Sequence, residues 1–497
     1  VFDFAQNSNY QITKFQMHGV ISNGYIFKSP SLRFREALTA LYTFDNPAYL
    51  DAVKFSPYAI ISDAIPKTRC FVHWDEDTRE LDVPRGFAPT ELSPELAAYL
   101  YLYDFKRKQC KSPVEFPKLQ ITLNTEQKAM LQAFRKARKD GSRPAGAFLF
   151  ESSTSTGKTI MQAVAASRTG QRTLVLCATN LIRDAWLRDI YTAFGIPARE
   201  VGLIQREKWR IGEHFTLGSI ATIDRRYSRW KEIYETFGTI VLDEAHIASE
   251  PRVYAFLRES TSRYLIGATA TVQKEGDTLN QALWALFGKP IHTIQTHNVD
   301  TSSSMALRKV RVVRTDFEYD YDTHNLDLHD LSITMAADED RNKLIVENAV
   351  RDWRSGHSVV VATNRVPHVL LLVEMLREAG VKDTNPLYGA VNARSGYSMK
   401  LVKLFNARKV RMIVANIQAI KLGANMNPLD RLHLVFPPNG NDLKQLIGRI
   451  RRKAAGKKDS ELVYYLDGRV LWAVRRFNSK AVPLFRDMNV PGFENMF

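Results

Sequence analysis

Residues 145–167 read AGAFLFESSTSTGKTIMQAVAAS: an apolar run, a polar loop, and then Gly157, Lys158 and Thr159 opening an apolar segment with helical spacing. A buried strand, a short loop and a helix in this order can hold a phosphate, because loop N–H groups and the helix N-terminus point at the anion. The loop lacks glycines that the pattern G-x-x-x-x-G-K-[ST] and its close variant require, since Ser152 and Ser155 stand in their places. What is retained is the part that touches phosphate and metal. The backbone of Thr154, Ser155, Thr156 and Gly157 is expected to wrap the phosphates. Lys158 would neutralise the β and γ oxygens, and the Thr159 hydroxyl would ligate Mg²⁺. ATP and Mg²⁺ are therefore the expected cofactors.

On either side of this stretch, apolar strands alternate with helices. RTLVLCAT (172–179) predicts a buried strand, LIRDAWLRDIYTAFG (181–195) an amphipathic helix, and GTIVLDEAH (238–246) and SRYLIGATAT (262–271) two further strands. After the polar stretch THNVDTSSSM (296–305) the rhythm resumes. RNKLIVENAVRDW and PHVLLLVEMLREAG read as helices, SVVVATN, VRMIVAN and RLHLVF as strands, and NDLKQLIGRIRRK as a last helix. Such alternation implies parallel sheets covered on both faces. Residues 1–115 differ, being rich in aromatics. Within them CFVHWDEDTRELDVPRGF (70–87) predicts a β-hairpin turning at Asp75–Thr78, and SPELAAYLYLYDFKRKQCKS (93–112) a capped helix running into a basic linker. The expected organisation is a small α+β domain over 1–115, possessing candidate DNA-binding aromatics, and two α/β domains over 116–300 and 301–497.

A chain of 497 residues is long enough for several cores, and 45% apolar with 25% charged residues is globular composition. The net charge of +16 favours a polyanionic partner, because lysine and arginine release counterions from a phosphate backbone. Three separated cysteines (Cys70, Cys110 and Cys177) argue against a structural zinc site or a disulfide scaffold. No long apolar run predicts a membrane span, and VFDFAQNSNY has no secretory pattern, so a cytoplasmic protein is expected.

Two further motifs carry chemistry. In VLDEAH, Asp243 ends an apolar strand and is placed to join the Mg²⁺ shell, while Glu244 can align an attacking water. In QLIGRIRR, helical spacing puts Gln445, Gly448, Arg449 and Arg452 on one face, and an arginine there can reach a γ-phosphate as a finger.

STGKT, LDEAH, GATAT and QLIGRIRR, in that order over two α/β domains, resemble the superfamily 2 helicases and translocases of the DEAH type. The resemblance spans residues 116–475 and implies two tandem RecA-like parallel-sheet domains behind the small N-terminal one. It implies that Gln127 contacts adenine and that Gly423 and Asn425 approach the nucleotide. It assigns Thr179, Asn180, Thr222 and Asn364 to the nucleic-acid track. His246, Thr269 and Thr271 would couple hydrolysis to movement, and Glu244, Lys158, Gln445, Arg449 and Arg452 would be catalytic. The serine-containing TSTGKT, the longer spacing between Asn416 and Gly423, and the N-terminal hairpin are similar to phage branch-migration helicases of the UvsW kind, and more distantly to XPB-like helicases. Asn416 and Asn425 depart from the pattern, standing where a small hydroxyl residue and an aspartate are usual.

The segment RRYSRWK (225–231) interleaves cations with aromatics, and Arg226 within it is a further candidate nucleic-acid contact. The runs KRKQCK and RKARKDGSR read as solvated faces. The expected partner is DNA, branched, forked or duplex, with the chain acting as a monomer. RNA helicase, duplex translocase, or a nucleic-acid-binding protein with a decayed ATPase are the alternatives.

Overall fold

The computed structural model describes residues 17–46, 67–100, 102–140, 142–152, 157–269, 279–294, 307–321, 326–388, 397–421, 426–451, 456–457, 459–488 and 490–493. The main division of the chain falls between Gln295 and Thr296.

The first unit begins with a small α+β domain. It contains β1 (Met17–Ile21), β2 (Gly24–Lys28), the separate antiparallel pair β3 (Thr43–Asp45) and β4 (Thr68–Cys70), then β5 (His73–Asp75), β6 (Glu80–Pro84) and β7 (Tyr103–Arg107). The main sheet runs β5-β6-β2-β1-β7, antiparallel except for the β1–β7 pair. The hairpin expected from HWDEDTRELDVP is β5–β6, with the Asp75 carboxylate accepting the turn N–H groups of Asp77 and Thr78. The helix Leu32–Leu41, capped by Ser31, covers the sheet with Phe34 and Leu38. Described aromatics of this region fill its core. Tyr25, Phe27, Phe34, Phe87 and Tyr103 are buried, with Phe27 edge-on to Phe34 and Tyr103 at 5.2 and 5.1 Å. The basic linker expected after Leu100 is corrected here. YDFKR alternates with period two, which turns Tyr103 and Phe105 toward the aromatic core and leaves Asp104 and Lys106 exposed, so the segment pairs as a strand.

The α/β part of this unit comprises β8 (Ala147–Ser152), β9 (Thr173–Cys177), β10 (Gly202–Gln205), β11 (Lys208–Arg210), β12 (Phe215–Ser219), β13 (Thr239–Asp243), β14 (Tyr264–Thr269) and β15 (His292–Ile294). They form one sheet, β11-β10-β12-β9-β13-β14-β8-β15, parallel apart from the β10–β11 hairpin. Every residue of β9 and β13 is buried, as the unbroken apolar runs TLVLC and TIVLD require.

The N-terminal domain grips the turn leading into β8. Tyr25 Oη accepts the Ala145 N–H at 3.1 Å, and Gln109 Nε2 donates to the Ala145 carbonyl at 2.8 Å. Arg107 donates to the Pro144 carbonyl at 2.7 Å. Arg85, fully buried, donates to the carbonyls of Ala145 (3.0 Å), Ser260 (3.4 Å) and Ser262. Burial without a carboxylate contact pulls the Arg85 pKa down to about 9, which still leaves it charged at neutral pH. Arg143 donates in return to the Gly86 carbonyl at 2.9 Å, and Arg258 pairs with Asp82 at 2.7 Å.

The second unit carries β16 (Leu307–Thr315), β17 (Val359–Thr363), β18 (Asn385–Leu387), β19 (Met412–Asn416), β20 (Arg431–Leu434) and β21 (Ser460–Asp467). Their order is β16-β21-β20-β17-β19-β18, all parallel. Alternate strand residues feed two cores. Val360, Ile413, Leu432 and Leu462 pack against helices Tyr397–Asn406 and Gly440–Ile450, while Val359, Val361, Val414 and Val463 meet helices Glu339–Arg354 and Val366–Glu378. Among the described residues no helix is long and apolar enough to cross a membrane.

The Arg85 contacts generate a stability prediction. Arg85→Met keeps apolar bulk but strips the charged donor from buried carbonyls. We expect the unfolding free energy to fall by about 3 kcal/mol in a urea titration. An unchanged midpoint and slope would show that the clasp is dispensable.

Candidate active site

Strand β8 delivers the chain to the phosphate-loop candidate, whose residues Thr154, Ser155 and Thr156 lie outside the described residues. At its exit, Gly157 has φ 82° and ψ 34° and caps the helix Lys158–Ser167. This left-handed conformation favours glycine, and a Cβ would come within 2.6 Å of Gln127 Nε2. Gln127 is buried rather than open toward solvent. Its Oε1 accepts the Asn124 N–H at 3.0 Å, and Asn124 reciprocates at 2.8 Å, forming a capping box for the helix Thr125–Lys139. The residue assigned to adenine thus also shapes the loop exit.

Lys158 and Thr159 open the helix, where unpaired N–H groups favour an anion. The strand order β13-β14-β8 brings the end of β13, carrying Asp243 and Glu244, close to them. Lys158 Nζ lies 3.5 Å from Glu244 Oε1 and makes no hydrogen bond among the described residues. Glu244 Oε2 lies 3.6 Å from His246 Nδ1. Glu244 itself has φ 60° and ψ 59°, a left-handed conformation costing a non-glycine residue about 1–2 kcal/mol. Strain of this kind is typical of functional positions.

Asp243 is the best-held residue of the cluster. Its Oδ1 accepts Gln162 Nε2 at 2.9 Å and the Glu244 N–H at 3.1 Å, and its Oδ2 accepts Trp186 Nε1 at 2.9 Å. Burial, and then the neighbouring Glu244 carboxylate, push its pKa up, while Lys158, Trp186 and Gln162 oppose the rise. Trp186 and Gln162 are functional residues that sequence reasoning missed. Gln162 lies four residues after Lys158 on one helix, and that spacing was the available signal. Trp186 read as one more apolar position of an amphipathic helix. The donor set fits a divalent cation and a polyphosphate: a lysine ammonium without a hydrogen bond, a fixed buried carboxylate, and a hydroxyl residue at a helix start.

The other predicted residues are distributed as follows. Thr179 accepts the Ile182 N–H through its hydroxyl (3.3 Å) just ahead of helix Asn180–Phe194, whose first residue is Asn180. Thr222 is buried, and its hydroxyl accepts the Arg206 N–H at 3.0 Å. Arg226 pairs with Glu207 at 3.0 Å. Thr269 is buried at the end of β14, and Thr271 lies outside the described residues.

In the second unit, Asn364 is exposed just past β17, and its carbonyl accepts Asn416 Nδ2 at 2.9 Å. Asn416, where a small hydroxyl residue is usual, therefore ties the ends of β19 and β17 together. Next to Asn364, Thr363 Oγ1 meets His368 Nδ1 and Asn342 Oδ1 meets His368 Nε2, both at 2.9 Å. Burial, with Arg341 nearby, lowers the His368 pKa to about 3, so the ring is neutral. Gln445 is buried, and Arg449 is half-buried in the last turn of helix Gly440–Ile450. That helix ends at Ile450 with Arg451 as its cap, which shortens the face expected to run on to Arg452. Arg452, Gly423 and Asn425 lie outside the described residues.

A parallel sheet that presents a helix-opening Lys-Thr pair beside a strand-ending Asp-Glu pair defines a nucleotide-phosphate-binding α/β protein. Comparison with known proteins narrows the class. Residues 120–274 match the family described as "Type III restriction enzyme, res subunit". The chain is 24% identical over 368 residues to "Probable helicase D10" of Escherichia phage T5, covering 73% of this chain and 75% of that protein. It is 26% identical over 170 residues to "DNA 3'-5' helicase XPB" of Mycobacterium tuberculosis, covering 33% of this chain and 30% of that protein. The solved structure of a single-residue variant of S. cerevisiae Dbp5, bound to RNA and ADP BeF3, matches with a TM-score of 0.52 at 13% identity, covering 80% of this chain and 92% of that chain. These matches make the chain similar to the helicases of superfamily 2. Its fold is two tandem RecA-like domains preceded by a small α+β domain.

Trp186→Phe keeps the ring and removes one donor from a buried carboxylate. We expect a loss of about 1.5–3 kcal/mol in unfolding free energy at neutral pH, read by urea denaturation. A loss below about 0.5 kcal/mol would mean that the indole N–H does not hold Asp243.

Proposed function

We propose that this protein is an ATP-driven DNA helicase or translocase of the DEAH type that remodels branched or forked DNA. The observation that carries the reading is the Lys158–Glu244–Asp243 cluster, in which Asp243 is kept buried and hydrogen-bonded and Lys158 faces Glu244 at 3.5 Å, although the loop before it has serines for glycines. A chain that had abandoned nucleotide chemistry would gain stability by replacing such a carboxylate with an apolar residue. For this reason a decayed ATPase is the weaker reading.

Lys158 neutralises the β and γ oxygens of ATP, with the backbone of Thr154, Ser155, Thr156 and Gly157 around the phosphates and Gln127 toward the adenine. Thr159 and Asp243 would hold Mg²⁺, which when bound offsets charge building on the transferring phosphoryl group. Glu244 orients a water and accepts its proton as the water oxygen bonds to the γ phosphorus and the bond to the bridging oxygen breaks. Arg449 and Arg452 supply positive charge to the γ-phosphoryl group, with Gln445 beside them on the motif and Gly423 and Asn425 toward the nucleotide. His246, Thr269 and Thr271 pass the change in the site on to domain movement. Thr179, Asn180, Thr222 and Asn364 line the nucleic-acid backbone track, with the Thr222 hydroxyl held by the Arg206 N–H. Backbone contacts carry little base information, so binding is expected to be largely sequence-independent and to weaken steeply with salt. The XPB relative, named as a DNA 3'-5' helicase, favours DNA.

The test is phosphate release by the full chain with linear duplex, fork, four-way junction and RNA. We expect the fork or junction to stimulate most. Lys158→Ala and Glu244→Gln should each lower the stimulated rate by about 100-fold or more. Absence of hydrolysis with every nucleic acid would overturn the enzyme reading, and strongest stimulation by RNA would overturn the DNA assignment.

A further inference from the structure

The β10–β11 hairpin closes one edge of the first α/β sheet by turning antiparallel to an otherwise parallel array. Its turn, Arg206–Glu207, has Arg206 in the left-handed region at φ 50°. Edge strands usually carry charge to block pairing with other chains, and charges of either sign serve for that. Here the acids are engaged and the cations at the tip are not. Glu207 is taken by Arg226 at 3.0 Å, and Glu232 is held by Arg229 through two hydrogen bonds of 2.7 and 2.8 Å. Among the described residues Arg206, Lys208 and Arg225 have no ion pair, and all three are exposed. Tyr227 is 69% exposed beside them.

The hairpin is braced by a stack. The Arg229 guanidinium lies 3.6 Å from the Trp209 ring centroid, Arg226 lies 5.8 Å from it, and Trp209 Nε1 donates to Glu232 at 3.0 Å. Arg226 and Arg229, the obvious nucleic-acid candidates of RRYSRWK, are therefore occupied in holding Trp209. The turn is also tied to both first-domain segments assigned to the nucleic-acid track. Arg183, on the helix that opens at Asn180, donates to Gln205 Oε1 at 2.5 Å, and the Arg206 N–H donates to the Thr222 hydroxyl at 3.0 Å.

We propose that this hairpin is an additional nucleic-acid contact, a rigid finger alongside the strand track. Arg206 and Lys208 meet backbone phosphates, and Tyr227 stacks on an unpaired base where duplex opens into single strand. Guanidinium and ammonium groups without acidic partners suit phosphate, and an exposed phenol ring suits a base face, which only unpaired nucleotides offer. The inference rests on the DNA-motor reading above.

The experiment is equilibrium binding of labelled forked and blunt duplex DNA to the full chain across a salt series, with unstimulated ATP hydrolysis measured in parallel. R206Q/K208Q should weaken fork binding about 10-fold near physiological salt. It should also reduce the slope of log K against log salt by about 1.4–1.8, at about 0.7–0.9 per phosphate contact. Y227A should weaken fork binding about 10-fold and leave blunt duplex nearly unchanged. All three positions are exposed, so unfolding midpoints and unstimulated hydrolysis should match the parent. Parent affinity and parent slope in both variants would overturn the proposal and leave the hairpin as a protected sheet edge or a protein-binding surface. A parent chain that binds no nucleic acid would overturn the motor reading itself.

Discussion

A carboxylate taken out of water must receive hydrogen bonds in exchange, and Asp243 receives its own from two helices and a backbone N–H. Gln162 comes from the helix that Lys158 opens, and Trp186 from the helix that follows β9. Satisfying this one group fixes where both helices lie against β13, and so fixes the place of the lysine relative to the acids. Glu244 is then forced through a left-handed turn that brings its carboxylate back toward Lys158 and His246. Each neighbour limits the others, so the cluster is a prepared polar site and not a set of solvated acids at a strand end.

The same economy governs the N-terminal domain. Most of its described aromatics pack in its own core, and several of its polar side chains point at the backbone of the turn before β8. That turn feeds the strand that ends at the phosphate loop. Arg85 is the clearest case, a buried cation whose described partners are all main-chain carbonyls. Carbonyls belong to the backbone whatever the side chains, so a clasp of this type tolerates change on the α/β side. The arginine itself is much less replaceable, because no other side chain reaches several acceptors with one rigid fork.

Much of this was legible in the sequence. Continuous apolar runs such as TLVLC, TIVLD and VVVAT can only be buried strands of a covered parallel sheet, and each is one. Lys158, Asp243 and Glu244 were readable because their chemistry depends on position within a strand or helix end. Other features were hidden for physical reasons. Strand β16, LRKVRVVRT, lies at the edge of its sheet, and its cations broke the apolar run; Arg311 bonds to Asp352 and Glu461 instead of facing water. Strand β7 is short and its alternation was masked by its own Lys106 and Arg107 and by Lys108 after them. Trp186 needed the tertiary fold, since nothing local distinguishes an indole that fills a core from one that also donates to a carboxylate. Arg226 was assigned by residue type alone, and the pairing with Glu207 and Trp209 could not be read from spacing.

If the buried acid cluster and Lys158 form a working nucleotide–metal site despite Ser152 and Ser155, the chain must bind nucleotide and must bind it better with a divalent cation. Calorimetric titration of ADP into the full chain, with Mg²⁺ and then with chelator, measures both. One nucleotide should bind per chain, at least about 10-fold more tightly with Mg²⁺ than without. Absence of binding at millimolar nucleotide, in a chain that unfolds cooperatively, would contradict a working site.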